Sequence, residues 1–69
     1  MDLRSLGKIC QGYREQLGYF QHDVAEEIGC SKENVSAFEC GRNNNALIFL
    51  WYVRMGLDAH ELNGGAYNG

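Results

Sequence analysis

The sequence predicts an all-α fold of four to five short helices in one small domain, with a helix-turn-helix at the second and third. Three observations predict it. Apolar residues recur at helical spacing in successive segments. Those segments are closed by Gly18, Gly29, Gly41 and Gly56, and the chain has no proline. Within Gln21–Cys40, QHDVAEEIGCSKENVSAFEC, two short apolar-faced segments flank a three-residue turn that contains a glycine, the pattern of a helix-turn-helix.

The first helix is expected over Asp2–Leu17. Leu6, Ile9, Cys10, Tyr13 and Leu17 form one stripe directed at the core. Asp2 is the expected N-cap, with Ser5 the second choice, and Arg4, Lys8 and Gln11 lie off the stripe, in solvent. The second helix is expected over Gln21–Ile28, with Val24, Ala25 and Ile28 inward and Asp23, Glu26 and Glu27 in solvent. Phe20 stands where a capping Ser, Thr or Asp is expected. Ala25 allows a close helix crossing, and Gly29 can adopt the positive φ that ends the helix. The third helix is expected over Lys32–Cys40, with Ser31 as its cap and Val35 and Phe38 inward. Arg42-Asn43-Asn44-Asn45 reads as a loop. Ala46–Met55 is apolar nearly all round. By composition it is compatible with a buried strand, but a lone strand has no partner, so a helix is expected. Ile48, Trp51, Tyr52 and Met55 are expected inward and Phe49, Leu50 and Val53 outward. Asp58–Leu62 is a further turn, residues 1–63 make one domain, and residues 64–69 are a loose tail.

Sixty-nine residues leave a thin core, so nearly every apolar helix face must be used. No apolar run approaches the roughly 18 residues of a membrane span, and no secretion signal is evident. Cys10, Cys30 and Cys40, an odd number lying on or beside apolar faces, read as buried thiols of a reducing cytosol. They lack paired CxxC spacing, so no metal is expected. His22 and His60 have no nucleophile or carboxylate arrangement around them, and there is no phosphate loop. An enzyme, a cofactor and a small-molecule substrate are therefore not expected. Six basic residues face nine acidic ones, for a formal charge of −3. That balance is unusual for a nucleic-acid binder, in which phosphate contacts dominate affinity, but distribution over the faces outweighs the total.

The segments REQLGYFQHDVAEEIG, CSKENVSAFECGRN and MGL together resemble the phage repressor and Cro family, the xenobiotic-response-element type of helix-turn-helix. Gln21, Ala25, Gly29 and Val35 occupy the first, fifth, ninth and fifteenth places of that family's motif, and Glu39-Cys40-Gly41 matches its Glu-x-Gly ending. The match spans about Leu6–Asn63. The resemblance implies a compact four- to five-helix lambda-repressor-like domain that binds double-stranded DNA in the cytoplasm, at the nucleoid. It implies a small phage or mobile-element regulator acting as a homodimer on an operator. Lys32, Glu33, Ser36 and Ala37 would read bases from the third helix. Gln21, Asn34, Arg42, Asn43 and Asn44 would contact phosphates. Ala37 departs from the long polar side chain often found at its position. The few cations imply a shallow salt dependence. Arg14 and Glu39 would form an ion pair tying the first helix to the third. Phe49, Leu50 and Val53 would form the interface with a second copy, or with a different protein. A second reading keeps the fold without the DNA: a protein-binding module that engages another regulator through its apolar fourth helix. The acidic balance, Glu33, Ala37 and the uncapped Phe20 favour it.

Overall fold

Asp2 begins the described chain as a cap. In the computed structural model, which describes residues 2–57, its carboxylate accepts from the Ser5 N–H at 2.8 Å and opens α1, Leu3–Leu17. That bond holds the Asp2 carboxyl below its usual value. Gly18, at φ 84°, closes α1. α2 covers Gln21–Ile28, α3 Lys32–Glu39 and α4 Ala46–Arg54, with no strand among the described residues. α2 and α3 are joined by Gly29–Ser31. Gly29 takes φ 89°, and the Ser31 hydroxyl accepts from the Asn34 N–H at 3.2 Å to start α3.

The core draws on every helix. Cys10 of α1, Val24 and Ala25 of α2, Val35 and Phe38 of α3, Ile48, Trp51 and Tyr52 of α4, and Leu57 beyond it are all buried. Leu6, Ile9, Tyr13 and Ile28 pack against them, half-buried. The Tyr13 hydroxyl donates to the Met55 carbonyl at 2.8 Å and fastens α1 to the end of α4.

Several expectations need correction. Leu17, expected in the α1 stripe, is exposed, because it lies in the last turn, beyond the reach of the core. Gly7 is buried instead. Its Cα faces the end of α3 so closely that a β-carbon there would lie 2.3 Å from the Glu39 carbonyl oxygen. α3 stops one residue early, with Cys40 as its exposed C-cap, and α4 likewise yields Met55 to its cap. Only Cys10 is a fully buried thiol; Cys30 is half-buried and Cys40 exposed. Phe49, expected to point away, is half-buried against the core, whereas Leu47 is 62 % exposed. Asp23 does more than face solvent: its carboxylate accepts from the Phe20 N–H at 2.8 Å, the reciprocal half of a capping box. The loop asparagines are unequal. Asn45 caps α4, accepting from the Leu47 and Ile48 N–H groups at 2.9 and 3.3 Å. The Asp58–Leu62 turn, His60, the boundary at residue 63 and the tail at 64–69 lie outside the described residues.

Candidate nucleic-acid interface

The candidate face is the outer side of α3, and a buried polar cluster holds that helix in place. Glu39 is buried at the C-terminal end of α3. Its Oε2 accepts from Arg14 Nε at 2.7 Å and from the Tyr52 hydroxyl at 2.8 Å. Its Oε1 accepts from Arg14 Nη2 at 3.1 Å and from Gln21 Nε2 at 2.9 Å. One carboxylate therefore binds α1, α2 and α4 to α3. Arg14 completes its fork through Nη1 on the Tyr19 carbonyl at 2.8 Å. The hydrogen bond to Glu39 raises the affinity of the guanidinium for its proton, against the opposing effect of burial. Burial first and Glu39 second raise the Tyr52 hydroxyl above its usual value. The same two causes push the Cys10 thiol up to about 12. No buried side-chain nitrogen or oxygen among the described residues lacks a partner.

With Val35, Phe38 and Glu39 buried, the opposite side of α3 faces outward. Lys32, Glu33 and Asn34 are exposed, and Ser36 and Ala37 are half-exposed behind them. This placement follows from helical period, since residues flanking the inward Val35 and Phe38 must point away. Arg42 and Asn44 are exposed just past α3.

Two of the expected phosphate contacts also hold the fold together. The Gln21 amide gives one N–H to Glu39, which leaves its second N–H, its carbonyl oxygen and its backbone N–H for a ligand. Asn43 braces the loop: its Oδ1 accepts from the Asn45 N–H at 3.1 Å, and its Nδ2 reaches the Asn34 carbonyl at 3.5 Å. Arg4 enters the neighbourhood unannounced. The backbone of Gly41 lies against that of Arg4, close enough that a β-carbon on Gly41 would sit 2.7 Å from the Arg4 Cα. This sets a third cation beside the Gly41–Arg42 turn. Nothing in the sequence signals that contact, because it depends on how α1 crosses the end of α3.

At the start of α2 lies an open depression of about 280 Å³, lined by Arg14, Phe20, Gln21, His22 and Lys32. Phe20 is 67 % exposed, and its ring stacks on His22 at 5.6 Å. Phe20 has no side-chain acceptor for the first N–H groups of α2, so these point outward with the positive end of the helix dipole. The acids are spread over several elements. Of the nine, Asp58 and Glu61 lie outside the described residues, Glu39 is neutralised by Arg14, and Glu26 and Glu27 follow Val24 and Ala25 along α2; Asp2 caps α1, Glu15 lies 3.9 Å from Arg14, Asp23 stands in the first turn of α2, and Glu33 is on α3. The outer side of α3 and its flanks carry Lys32, Arg42 and Arg4 against Glu33, with Asp2 beside Arg4 and Asp23 in the first turn of α2.

Among the described residues no group of three or more His, Cys, Asp or Glu side chains is arranged to hold a metal ion, and no helix is long and apolar enough to cross a membrane. Comparison with protein-family models, with curated proteins and with solved structures returns no match.

Proposed function

We propose that this chain is a sequence-specific double-stranded DNA-binding regulator of the small phage or mobile-element repressor type, acting as a homodimer on an operator. In this reading α2, the Gly29–Ser31 turn and α3 are a helix-turn-helix of lambda-repressor-like form, and α3 enters the major groove. The observation that carries it is the two-sidedness of α3. One side is fixed by Val35, Phe38 and Glu39, and the other presents Lys32, Glu33 and Asn34, all exposed, at its N-terminal turn.

Lys32 donates to guanine O6 or N7, Glu33 accepts from cytosine N4, and Ala37 meets a thymine methyl, with Ser36 beside it. Asn34, Arg42, Asn44, Arg4 and the free N–H groups at the start of α2 bear on phosphates and set the register. Gln21 and Asn43 contribute mainly by holding α2 and the loop in position. With Lys32 on a base, Arg42 and Arg4 bear on phosphates, which implies a slope of log affinity on log salt of about −2 per half-site, shallow for the class.

The protein-binding reading is favoured by one observation, the exposed apolar row of α4, together with the net charge of −3. Selection of bound duplexes from a random pool at low salt, run beside Lys32→Ala, separates the two. The expected result is an enriched half-site, with the variant losing about 1–3 kcal/mol and relaxing its preference at one position. A chain that enriches no sequence and binds no duplex at low salt would reject the DNA reading in favour of the protein-binding one.

A further inference from the structure

Three helices bring polar side chains to the depression at the start of α2. Arg14 comes from α1, Gln21 and His22 from α2, and Lys32 from α3. Arg14 holds Glu39, Gln21 gives one N–H to the same carboxylate, and Lys32 stands at the exposed start of α3. His22 has no such task. Its side chain is 59 % exposed and takes no part in the core. The ring is nevertheless held in place. One face lies on the exposed Phe20 ring, at 5.6 Å and 7° from parallel, and Nε2 lies 3.4 Å from Asp23 Oδ1. Asp23 is itself fixed, because its Oδ2 accepts from the Phe20 N–H at 2.8 Å. Nδ1 of His22 has no partner among the described residues.

We propose that His22, in its protonated form, is a phosphate ligand of the DNA interface, so that binding a duplex takes up a proton. The proposal rests on the DNA-binding reading of α2 and α3. A neutral imidazole has one N–H donor and the imidazolium has two. With Asp23 taking the donor at Nε2, only the charged ring has a second N–H, at Nδ1, to give to a phosphate oxygen. In the neutral ring Nδ1 is a lone pair, which repels that oxygen. The charged groups around the ring come from each helix that meets there. Asp23 of α2 favours the proton, whereas Lys32 of α3 and Arg14 of α1 oppose it, and Arg14 is offset by Glu39 behind it. A phosphate set among Lys32, Arg14 and His22 reverses that opposition, since a nearby anion favours the charged ring. The complex then holds more protons than the free chain. Affinity therefore rises as pH falls through the range in which histidine changes charge, about pH 8 to pH 6.

Fluorescence anisotropy of the whole chain with a labelled duplex pool of random sequence at low salt tests it, because a phosphate contact is independent of sequence. From about pH 8 to about pH 6 the parent is expected to gain about tenfold in affinity, and its salt slope is expected to steepen by about one. His22→Gln, at an exposed position, is expected to bind as the parent does at the higher pH and to gain nothing at the lower. His22→Lys carries a permanent charge and is expected to bind at both pH values about as tightly as the parent does at the lower. Retained helical circular dichroism shows that both variants fold. A purely structural role for His22 would change affinity equally at both pH values. A parent that binds with a flat pH profile would overturn the proposal and leave DNA recognition intact. So would a gain that persists in His22→Gln, since the proton would then belong to another group. A chain that binds no duplex at either pH would overturn this proposal and the DNA reading together.

Discussion

Replacing Glu39 is expected to cost this protein most of its stability. The carboxylate accepts four hydrogen bonds between 2.7 and 3.1 Å, from Arg14 twice, from Gln21 and from Tyr52. In Glu39→Ala the Arg14 guanidinium, whose side chain is 7 % exposed, keeps only its bond to the Tyr19 carbonyl and a long 3.9 Å contact with the exposed Glu15 carboxylate. Breaking one side of a buried pair costs about 3–5 kcal/mol. The Tyr52 hydroxyl, on a fully buried side chain, loses its acceptor as well, which adds about 1–3 kcal/mol. Gln21 is half-exposed and turns to water at little cost. The total stability of a chain of this length is roughly 3–10 kcal/mol, so Glu39→Ala is expected to be largely unfolded at room temperature. Glu39→Gln keeps the shape and one good acceptor but aims an amide N–H at an Arg14 donor, and is expected to lose about 2–4 kcal/mol. Urea titration followed by the fluorescence of Trp51, the single and buried tryptophan, reads the loss directly. The combined Arg14→Met, Glu39→Met, Tyr52→Phe variant removes donors and acceptor together and is expected to recover most of it, since an apolar replacement of a whole buried cluster is often neutral or stabilising. A loss below about 1 kcal/mol in both Glu39 single variants would show that the cluster does not hold the helices together.

Stability is expected to fall in alkali. The Cys10 thiol is protonated in folded and unfolded chains alike below pH 9.0; above it the unfolded thiol ionises while the folded one holds its proton up to about 12. The unfolding free energy therefore declines by about 1.4 kcal/mol per pH unit across that window, with Tyr52 adding to the slope above pH 10.0. Urea midpoints measured across the window should show the decline, Cys10→Ala should remove the first part of it, and a flat profile in the parent would refute the assignment. Two glycines of α1 should respond with opposite signs. Gly7→Ala drives a β-carbon to 2.3 Å from the Glu39 carbonyl oxygen and 2.7 Å from that of Phe38, both backbone atoms, so α1 must lift from α3. A loss of at least about 1–3 kcal/mol in urea is expected. Gly12→Ala meets nothing within 4 Å and should stabilise by roughly 0.5–1 kcal/mol; equal effects at the two positions would contradict the close α1–α3 approach.

Local residue pattern is enough to set the elements and most of their inward faces. Val24, Ala25, Val35 and Phe38 declared α2 and α3 because the helical period leaves each only one side to bury, and Gly18 and Gly29 ended helices because positive φ suits residues without a side chain. Helix ends were legible where local chemistry sets them, as with the Asp2 and Ser31 caps. The outward residues of α3 followed from the same period. What the sequence could not convey was any property that depends on two distant elements meeting. Gly7 is buried, and Arg4 neighbours the Gly41–Arg42 turn, only because α1 crosses the end of α3 at backbone distance. Gln21 and Asn43 looked free for a ligand because their partners, Glu39 and the loop backbone, are fixed by tertiary packing. α4 was the least legible, since a segment apolar all round carries no periodic contrast. Which of Leu47, Phe49, Leu50 and Val53 faced solvent was decided by the surfaces α1, α2 and α3 had left to cover, and those surfaces exist only once the chain has folded.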